Sequence, residues 1–225
     1  RMARSALCAG DMTMRVHTYV IATDAGSAPN YDPPAVTLAV CKPRIRKKAK
    51  VGDLVLAFAG SKVNPISGHS VVWAGIVSEV LTFTEYWNDR RFASKKPERT
   101  VVPDNFYKPI GNGLLAWQPN PVHGPEAHDR DTGGLNVLVF DHAWRFGAFG
   151  PVLPEDFSLR MSVGRRGERV ADLTDSMWQR LESWLNAQPQ VTIEAASGSK
   201  SSRSCTPRAL PRSSQLASPT RRQCR

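Results

Sequence analysis

The sequence predicts an α+β domain built on a mostly antiparallel, partly closed β-sheet with flanking helices. Runs rich in β-branched and aromatic residues recur at 16–23, 36–41, 54–59, 71–81 and 135–140, a pattern typical of strands. The longest run, Val71–Leu81, contains Gly75, which favours a bulge or a strand that bends around a closed sheet. Residues 174–186 repeat apolar side chains with the period of a helix that starts at a Thr174 cap.

Turn and capping signals separate these elements. Pro43 ends the second strand, and residues 44–50 are expected to form a short helical turn before Gly52 and Asp53 open the third strand. Thr84 is expected to cap a short helix over residues 84–92. Residues 98–132 and 146–157 are rich in Pro and Gly, so both are predicted to be irregular.

The positive charge of the chain is concentrated at its C-terminal end. The formal net charge is +10 for 225 residues, but residues 196–225 hold seven Lys and Arg and no acid. Residues 14–195 are therefore nearly neutral, and we predict that they form one domain. Residues 1–13 are predicted to be a disordered leader, and the Ser-, Pro- and Arg-rich residues 196–225 a disordered basic tail.

Several classes of protein are disfavoured by the sequence. Cys8, Cys41, Cys205 and Cys224 lack the spacing of a zinc site or a disulfide framework, and Cys41 is interpreted as a small strand residue, with a thiol role as the minor alternative. Because no apolar run reaches about 18 residues and no secretory signal is present, we expect no membrane contact and a cytoplasmic location. The motifs GxSxG, HExxH and GxGxxG are absent, and no cofactor is expected.

The most distinctive feature is a basic turn between the second and third strands. Its six cations are Lys42, Arg44, Arg46, Lys47, Lys48 and Lys50. Clustered cations of this kind are typical of phosphate-binding surfaces. The predicted nucleotide-binding residues combine phosphate donors with rings and amides suited to a base: Asn30, Lys42, Arg46, Ser61, Lys62, Tyr86, Trp87, Asn105 and Tyr107. Core packing remains an alternative explanation for the two adjacent rings, Tyr86 and Trp87.

Catalytic and metal-binding interpretations have less support in the sequence. The acid–base candidates each have a simpler explanation in a turn or at the surface: Asp24, Asp53, Glu79, Asp104 and His128. A second group has the chemistry of metal ligands: His123, Glu126, His128, Asp129 and Asp131. This group lies in a Pro- and Gly-rich loop, where ligand geometry is hard to hold, so no metal site is predicted.

Several motifs resemble one known family. They include YVIATDAGSAPN at residues 19–30, CKPRIR at 41–46, VGD at 51–53, GSK at 60–62, LTFTEYWNDRRF at 81–92, KKP at 95–97 and DNFY at 104–107. In order and spacing they resemble the second of the nucleotide modification associated domain families over residues 14–167. The resemblance implies a place in systems, often phage-linked, that make, read or process modified bases in DNA. A fainter likeness to the PUA-like EVE and ASCH domains implies a β-barrel that holds RNA or a modified base.

These observations together favour the binding of a modified nucleotide or nucleic acid. The resemblance adds base-modifying enzymes as possible partners. Two alternatives remain open: an enzyme that processes modified nucleotides, and a protein-interaction subunit of a modification system.

Overall fold

The structure is a computed structural model that describes residues 13–22, 26–66, 70–161 and 167–191. In these ranges the strands are β1 (Thr13–Ile21), β2 (Val36–Leu38), β3 (Leu54–Ala59), β4 (Val71–Ile76), β5 (Glu79–Thr82), β6 (Tyr107–Gly111), β7 (Leu114–Trp117), β8 (Asn136–Phe140), β9 (His142–Arg145) and β10 (Arg169–Thr174). The α-helices are α1 (Pro43–Lys48), α2 (Phe83–Asn88), α3 (His128–Thr132), α4 (Glu155–Arg160) and α5 (Asp175–Ala187). Short 3-10 helices cover Arg90–Lys95 and Pro125–Ala127.

A five-stranded sheet of order β10-β1-β3-β4-β9 forms the centre of the fold. β1 and β3 run parallel, and the other neighbours run antiparallel. All six residues of β3 are buried, which explains the unbroken apolar sequence LVLAFA. Leu54, Leu56 and Phe58 pack with α5 in one core cluster, while the alternate residues of β3 pack with β2 and β8 in another.

The predicted strand Val71–Leu81 is two strands that belong to different sheets. β4 ends at Ile76 in the five-stranded sheet, and β5 begins at Glu79 in a three-stranded sheet of order β2-β8-β5. The Val77 N–H still donates to Asp53 O, next to β3, at 2.9 Å, whereas the Ser78 N–H donates to Val139 O of β8 at 2.8 Å. The chain therefore passes from one sheet to the other after Val77, beyond Gly75.

Gly75 serves close packing inside β4. A Cβ at this position would lie 2.8 Å from a ring carbon of Phe140 and equally close to Trp73. Such separations are shorter than side chains tolerate, so a glycine lets the two rings cover the strand. The prediction of a bulge at Gly75 is wrong, because the register of β4 with β3 shifts instead between Ala57 and Phe58.

The predicted α+β class and the mostly antiparallel pairing are confirmed. The described strands form three sheets, the third being the β6–β7 hairpin, and none of these sheets closes into a barrel. A PUA-like barrel is therefore not confirmed. Residues 1–12 of the predicted leader, the predicted basic tail and Asp24 lie outside the described residues, while Thr13, the last residue of the predicted leader, begins β1. The domain boundaries stay predictions.

Helix α2 begins earlier than predicted because a different threonine caps it. The Thr82 hydroxyl accepts the Glu85 N–H at 3.1 Å, and the Glu85 carboxylate accepts the Thr82 N–H at 2.7 Å, which is a capping box. The predicted Thr84 cap is therefore wrong, and the helix does not continue to residue 92. The Thr174 cap of α5 is confirmed.

Residues 98–132 are less irregular than predicted. They contain the β6–β7 hairpin, whose register runs from Tyr107 opposite Trp117 to Gly111 opposite Leu114, and helix α3. α3 lies against α1, which brings two segments far apart in sequence together. No helix among the described residues is long and apolar enough to span a bilayer.

Candidate active site

Cys41 lies in a strained turn between β2 and α1. Its φ is 57° and that of Lys42 is 42°, so two consecutive non-glycine residues have left-handed backbone conformations. Each such residue costs about 1–3 kcal/mol unless its surroundings hold it. The Cys41 N–H donates to Asp131 Oδ1 at 2.9 Å, and Pro43 begins α1 directly afterwards. The interpretation of Cys41 as a strand residue is wrong, because β2 ends at Leu38 and Cys41 lines a cavity.

The guanidinium of Arg46 fastens this turn to α3 and β8. It donates to Cys41 O and to Asn136 O, both at 2.7 Å, and also to Asp131 O. Arg46 is fully buried, and burial lowers its pKa to about 10, although the nearby Asp131 offsets part of this effect. A side chain at Gly134 would overlap the guanidinium. Arg46 therefore satisfies backbone carbonyls inside the fold and has no exposed donor for a phosphate.

His123 is held by the loop between β7 and α3. Asn120 Oδ1 accepts the N–H groups of Val122 and His123, each at 2.9 Å, and Trp117 Nε1 donates to His123 O at 2.9 Å. The imidazole packs edge-to-face on Phe106, with ring centres 6.1 Å apart. These contacts fix the backbone and the ring, so that the two ring nitrogens face different partners.

Cys41, His123 and Asp131 form a hydrogen-bonded relay. His123 Nε2 lies 3.5 Å from Cys41 Sγ, and His123 Nδ1 lies 2.6 Å from Asp131 Oδ2. The hydrogen bond to Asp131, and next the one to Cys41, raises the pKa of His123 to about 9, so the imidazole is cationic at neutral pH. A thiol, an imidazole and a carboxylate in this order are the arrangement of nucleophilic cysteine catalysis.

Asp131 is the buried anchor of the relay, with no exposed surface. Its Oδ2 also accepts the Tyr107 hydroxyl at 3.0 Å, and its Oδ1 accepts the Cys41 N–H and Arg130 Nε, the latter at 3.2 Å. Burial alone would raise the pKa of Asp131, but the hydrogen bonds from His123 and Cys41 hold it below its usual value. Burial, followed by the charge of Asp131, raises the pKa of Tyr107, whose hydroxyl therefore stays a donor.

The thiol and the imidazole face a cavity of about 570 Å³. This volume is within the range of sites for small molecules and nucleotides. Lys42 Nζ donates to Val20 O at 3.1 Å and lies 4.4 Å from the centre of the Tyr19 ring, and burial lowers its pKa. Glu168 Oε2 is buried without a hydrogen-bond partner among the described residues. Polar groups line the cavity from several segments: Ser27, Cys41, Lys42, His123, Arg130 and Glu168.

The same three residues have donor atoms suited to a transition metal. The thiol, imidazole and carboxylate atoms lie within 4.8 Å of one another. However, His123 stands between Cys41 and Asp131 and uses one nitrogen for each. Both oxygens of Asp131 already accept two hydrogen bonds. The arrangement therefore suits proton transfer along the relay better than the convergence of all three side chains on one ion.

Comparison with family models identifies the domain that carries this relay. The model of nucleotide modification associated domain 2 matches residues 13–201. The chain belongs to this family. No curated protein and no solved structure matches the chain. The resemblance seen in the sequence motifs is therefore confirmed, and the described parts of the nucleotide modification associated domain hold the relay and its cavity.

Among the predicted nucleotide-binding residues of this domain, Lys42 and Tyr107 lie at the cavity or the relay. Lys42 lines the cavity. Tyr107 is buried, and its ring has no exposed face on which a base could stack, but its hydroxyl supports Asp131. Arg46 holds the backbone of the site as described above.

Three further predicted residues lie in a buried polar network near β2. Asn30 Oδ1 accepts Lys95 Nζ at 2.9 Å, and the Tyr86 hydroxyl donates to Asp104 Oδ1 at 2.7 Å. Asn105 Nδ2 donates to the backbone oxygen of Tyr86 at 3.1 Å. All five side chains are buried, so the structure places Asn30, Tyr86 and Asn105 inside the fold, apart from the cavity lining.

The last three predicted residues lie at or near the surface. Ser61 and Lys62 are exposed in the turn after β3, and neither lines the cavity. Trp87 is half-buried, and Lys96 Nζ lies over its ring at 4.1 Å from the centre. That cation occupies the face that a stacked base would use.

The acid–base candidates from the sequence have other contacts. Asp53 Oδ2 accepts the Lys50 N–H at 2.9 Å, in agreement with the predicted turn role. Glu79 binds both terminal nitrogens of Arg91, at 2.6 and 2.8 Å. His128 Nε2 lies 3.0 Å from a backbone oxygen of β7. The described members of this group thus do not contribute to the relay. The relay itself was not predicted from the sequence.

Proposed function

We propose that this domain is an enzyme of a nucleotide-modification system that binds a modified nucleotide in the cavity and attacks it with Cys41. The observation that carries the proposal is the relay, in which His123 Nε2 lies 3.5 Å from Cys41 Sγ and His123 Nδ1 lies 2.6 Å from Asp131 Oδ2. A thiol beside an imidazole that a carboxylate orients is the arrangement of an activated cysteine nucleophile. Binding of a modified nucleotide, the function favoured by the sequence, becomes the first step of this activity.

The relay supports a two-step displacement. The Cys41 thiolate forms a bond to an electrophilic carbon of the substrate, and the bond from that carbon to its leaving group breaks as His123 Nε2 protonates the leaving group. Water then attacks the same carbon while His123 accepts its proton. The sulfur–carbon bond breaks, and the thiolate and the imidazolium are restored. Asp131 keeps His123 oriented in both steps and stabilises its charge.

The charges of the cavity fit a nucleotide. Lys42 and Arg130 offer cationic donors, and the His123 imidazolium adds a third positive charge at neutral pH. Together they favour an anionic phosphate near the thiol. Ser27 and Glu168 add groups able to hydrogen bond the polar edge of a base.

The first experiment compares the wild-type chain with Cys41→Ser and Cys41→Ala on a panel of mononucleotides and oligonucleotides with modified bases, with products measured by mass spectrometry. We expect turnover that falls at least about a thousandfold in both variants. Cys205→Ser is the control, since it removes a thiol that lies outside the described residues. Substrate binding without turnover, or turnover that survives Cys41→Ala, contradicts the proposal.

A second measurement needs no substrate. Alkylation of Cys41 by iodoacetamide at neutral pH, followed by peptide mass spectrometry, reports the reactivity of this thiol. We expect His123→Gln to slow this reaction about tenfold, because the charge beside the sulfur is lost. A stoichiometric zinc ion in the purified chain that blocks alkylation until it is chelated would instead identify a metal site.

A further inference from the structure

The exposed cations of α1 form a surface that the relay does not use. Arg44, Lys47 and Lys48 are spaced three and four residues apart, so they share one face of the helix, and all three are exposed. Lys50, just beyond the helix, is exposed as well. We name Arg44, Lys47, Lys48 and Lys50 the α1 ridge.

Helix stability does not account for the α1 ridge. Lys47 and Lys48 lie in the last turn, where cations are favourable, but Arg44 lies in the first turn, where a cation opposes the helix dipole. The first turn contains no acidic residue, and like charges four residues apart repel each other. Among the described residues, no carboxylate forms an ion pair with any cation of the ridge. The charges therefore face solvent without an ion-pair partner among the described residues.

The α1 ridge follows the cavity wall along the chain, although none of its residues lines the cavity. α1 begins two residues after Cys41, and the turn that carries Cys41 and Lys42 lines the cavity wall. Burial raises the pKa of Glu168, another lining residue, and the charges of Lys42 and Arg44 offset part of that effect. The charge of Arg44 thus acts on a residue of the cavity wall, so a nucleotide in the cavity can continue into further phosphates towards the first turn of α1.

We infer that the substrate is a nucleic-acid strand whose phosphates lie along the α1 ridge while one unstacked base enters the cavity. This inference rests on the proposed function and names its substrate class. A base within a duplex cannot reach a thiol in a cavity wall, so the strand is single or locally opened. Cations that neutralise successive phosphates supply binding that is independent of sequence and sensitive to salt.

The experiment titrates the full chain and the variant Arg44→Ala/Lys47→Ala/Lys48→Ala against fluorescein-labelled single-stranded DNA and RNA of one sequence at several salt concentrations. We expect the triple variant to bind about tenfold more weakly at roughly 100 mM salt. The slope of log K against log salt should become shallower by about 2, since each lost phosphate contact on a single strand removes about 0.7. A preference between the DNA and RNA arms identifies the natural strand.

The matched control is Arg90→Ala/Arg99→Ala/Lys108→Ala, which removes the same charge from exposed positions elsewhere. It should retain affinity within about twofold, and it keeps the seven cations of residues 196–225. Equal weakening in both triple variants overturns the inference, because general charge then explains the binding. Cys41 alkylation and turnover of both the mononucleotides and the modified oligonucleotides, measured in the wild type and in the same variants, separate the two proposals. If alkylation and turnover persist in the ridge variant while its affinity for the strand is unchanged, only the inference about the α1 ridge is contradicted. If both are absent in the wild type, the proposed enzymatic function is contradicted.

Discussion

His123 Nε2 lies 3.5 Å from Cys41 Sγ, although 82 residues separate the two in the sequence. The contact depends on the strained turn after β2, which holds Cys41, and on a loop that fixes the imidazole opposite the thiol. Backbone strain that is held by surrounding hydrogen bonds is characteristic of functional sites. The separation is also short enough for proton transfer once a substrate tightens the site.

Asp131→Asn should disable the relay. An amide has only one acceptor oxygen, so its NH₂ group would face at least one donor that now binds a carboxylate. We expect turnover to fall at least about a thousandfold and the free energy of unfolding to fall by about 1–3 kcal/mol. Steady-state kinetics and urea unfolding measure the two effects.

The control for this prediction is Asp129→Asn, the same substitution two residues earlier in α3. The Asp129 side chain is fully exposed, so the change in unfolding free energy should stay within about 0.5 kcal/mol. Equal effects of the two substitutions would show that Asp131 acts only through the charge of α3.

His123 makes the stability of the fold depend on pH. Its pKa of about 9 in the folded state exceeds the usual 6.5, so the folded state binds the proton more tightly. The stabilisation is complete below pH 6.5 and is lost as the pH rises through 9. The wild type should therefore exceed His123→Gln in unfolding free energy by roughly 2 kcal/mol at pH 6, and this difference should shrink by pH 9.5.

Urea unfolding at several pH values measures this difference. Exposed His142→Gln provides the comparison, because it makes the same substitution away from the relay. A constant gap between the wild type and His123→Gln across the range would contradict an ion pair between His123 and Asp131.

Arg46→Met should be among the most destabilising substitutions in α1. It leaves three buried carbonyl oxygens without their donor, for a cost of about 3–5 kcal/mol in unfolding free energy. Because the same bonds hold the Cys41 turn to Asp131, alkylation of Cys41 should slow as well. Arg44→Met, on the exposed face of the same helix, should change the free energy by less than about 0.5 kcal/mol. If Arg46→Met lowers the unfolding free energy only slightly, water must replace the guanidinium as the donor to these carbonyl oxygens.

The sequence predicted elements whose signal lies in consecutive residues. β3 is apolar throughout because both of its faces are buried, and α5 repeats apolar residues on one face after a threonine cap. Thr82 and Thr84 are equally able caps by residue type, but only Thr82 has a glutamate three residues later, the spacing of the capping box that the structure contains. The split between β4 and β5 depends on the Ser78 N–H, which donates to Val139 O in a different sheet, and no local pattern encodes this contact.

The candidate site was harder to predict because its members come from three separate segments. Cys41 looked like the end of an apolar strand, and His123 and Asp131 looked like part of a loop rich in metal-ligand residues. One signal was available, a cysteine two residues before Pro43, which begins a helix after a sharp turn. The cation cluster was visible, but the sequence alone did not separate buried Arg46 from its exposed neighbours.

Lys95 and Asp104 should be strongly coupled through Thr37. Both are buried, Lys95 Nζ donates to Thr37 Oγ1 at 3.0 Å, and Thr37 Oγ1 donates to Asp104 Oδ2 at 2.6 Å. Burial lowers the pKa of Lys95 and raises that of Asp104, while each charge offsets part of the shift of the other. Lys95→Met alone should cost about 3–5 kcal/mol in unfolding free energy, because a buried carboxylate loses its counter-charge.

In a double-mutant cycle with Asp104→Asn, the double variant should lose at least about 1 kcal/mol less than the sum of the single variants. Exposed Arg180 and Asp156, 2.7 Å apart, form the reference pair, for which coupling of about 0–1 kcal/mol is expected. If the coupling energy of the buried pair is no larger than that of the reference pair, the buried polar network contributes little to the stability of the fold.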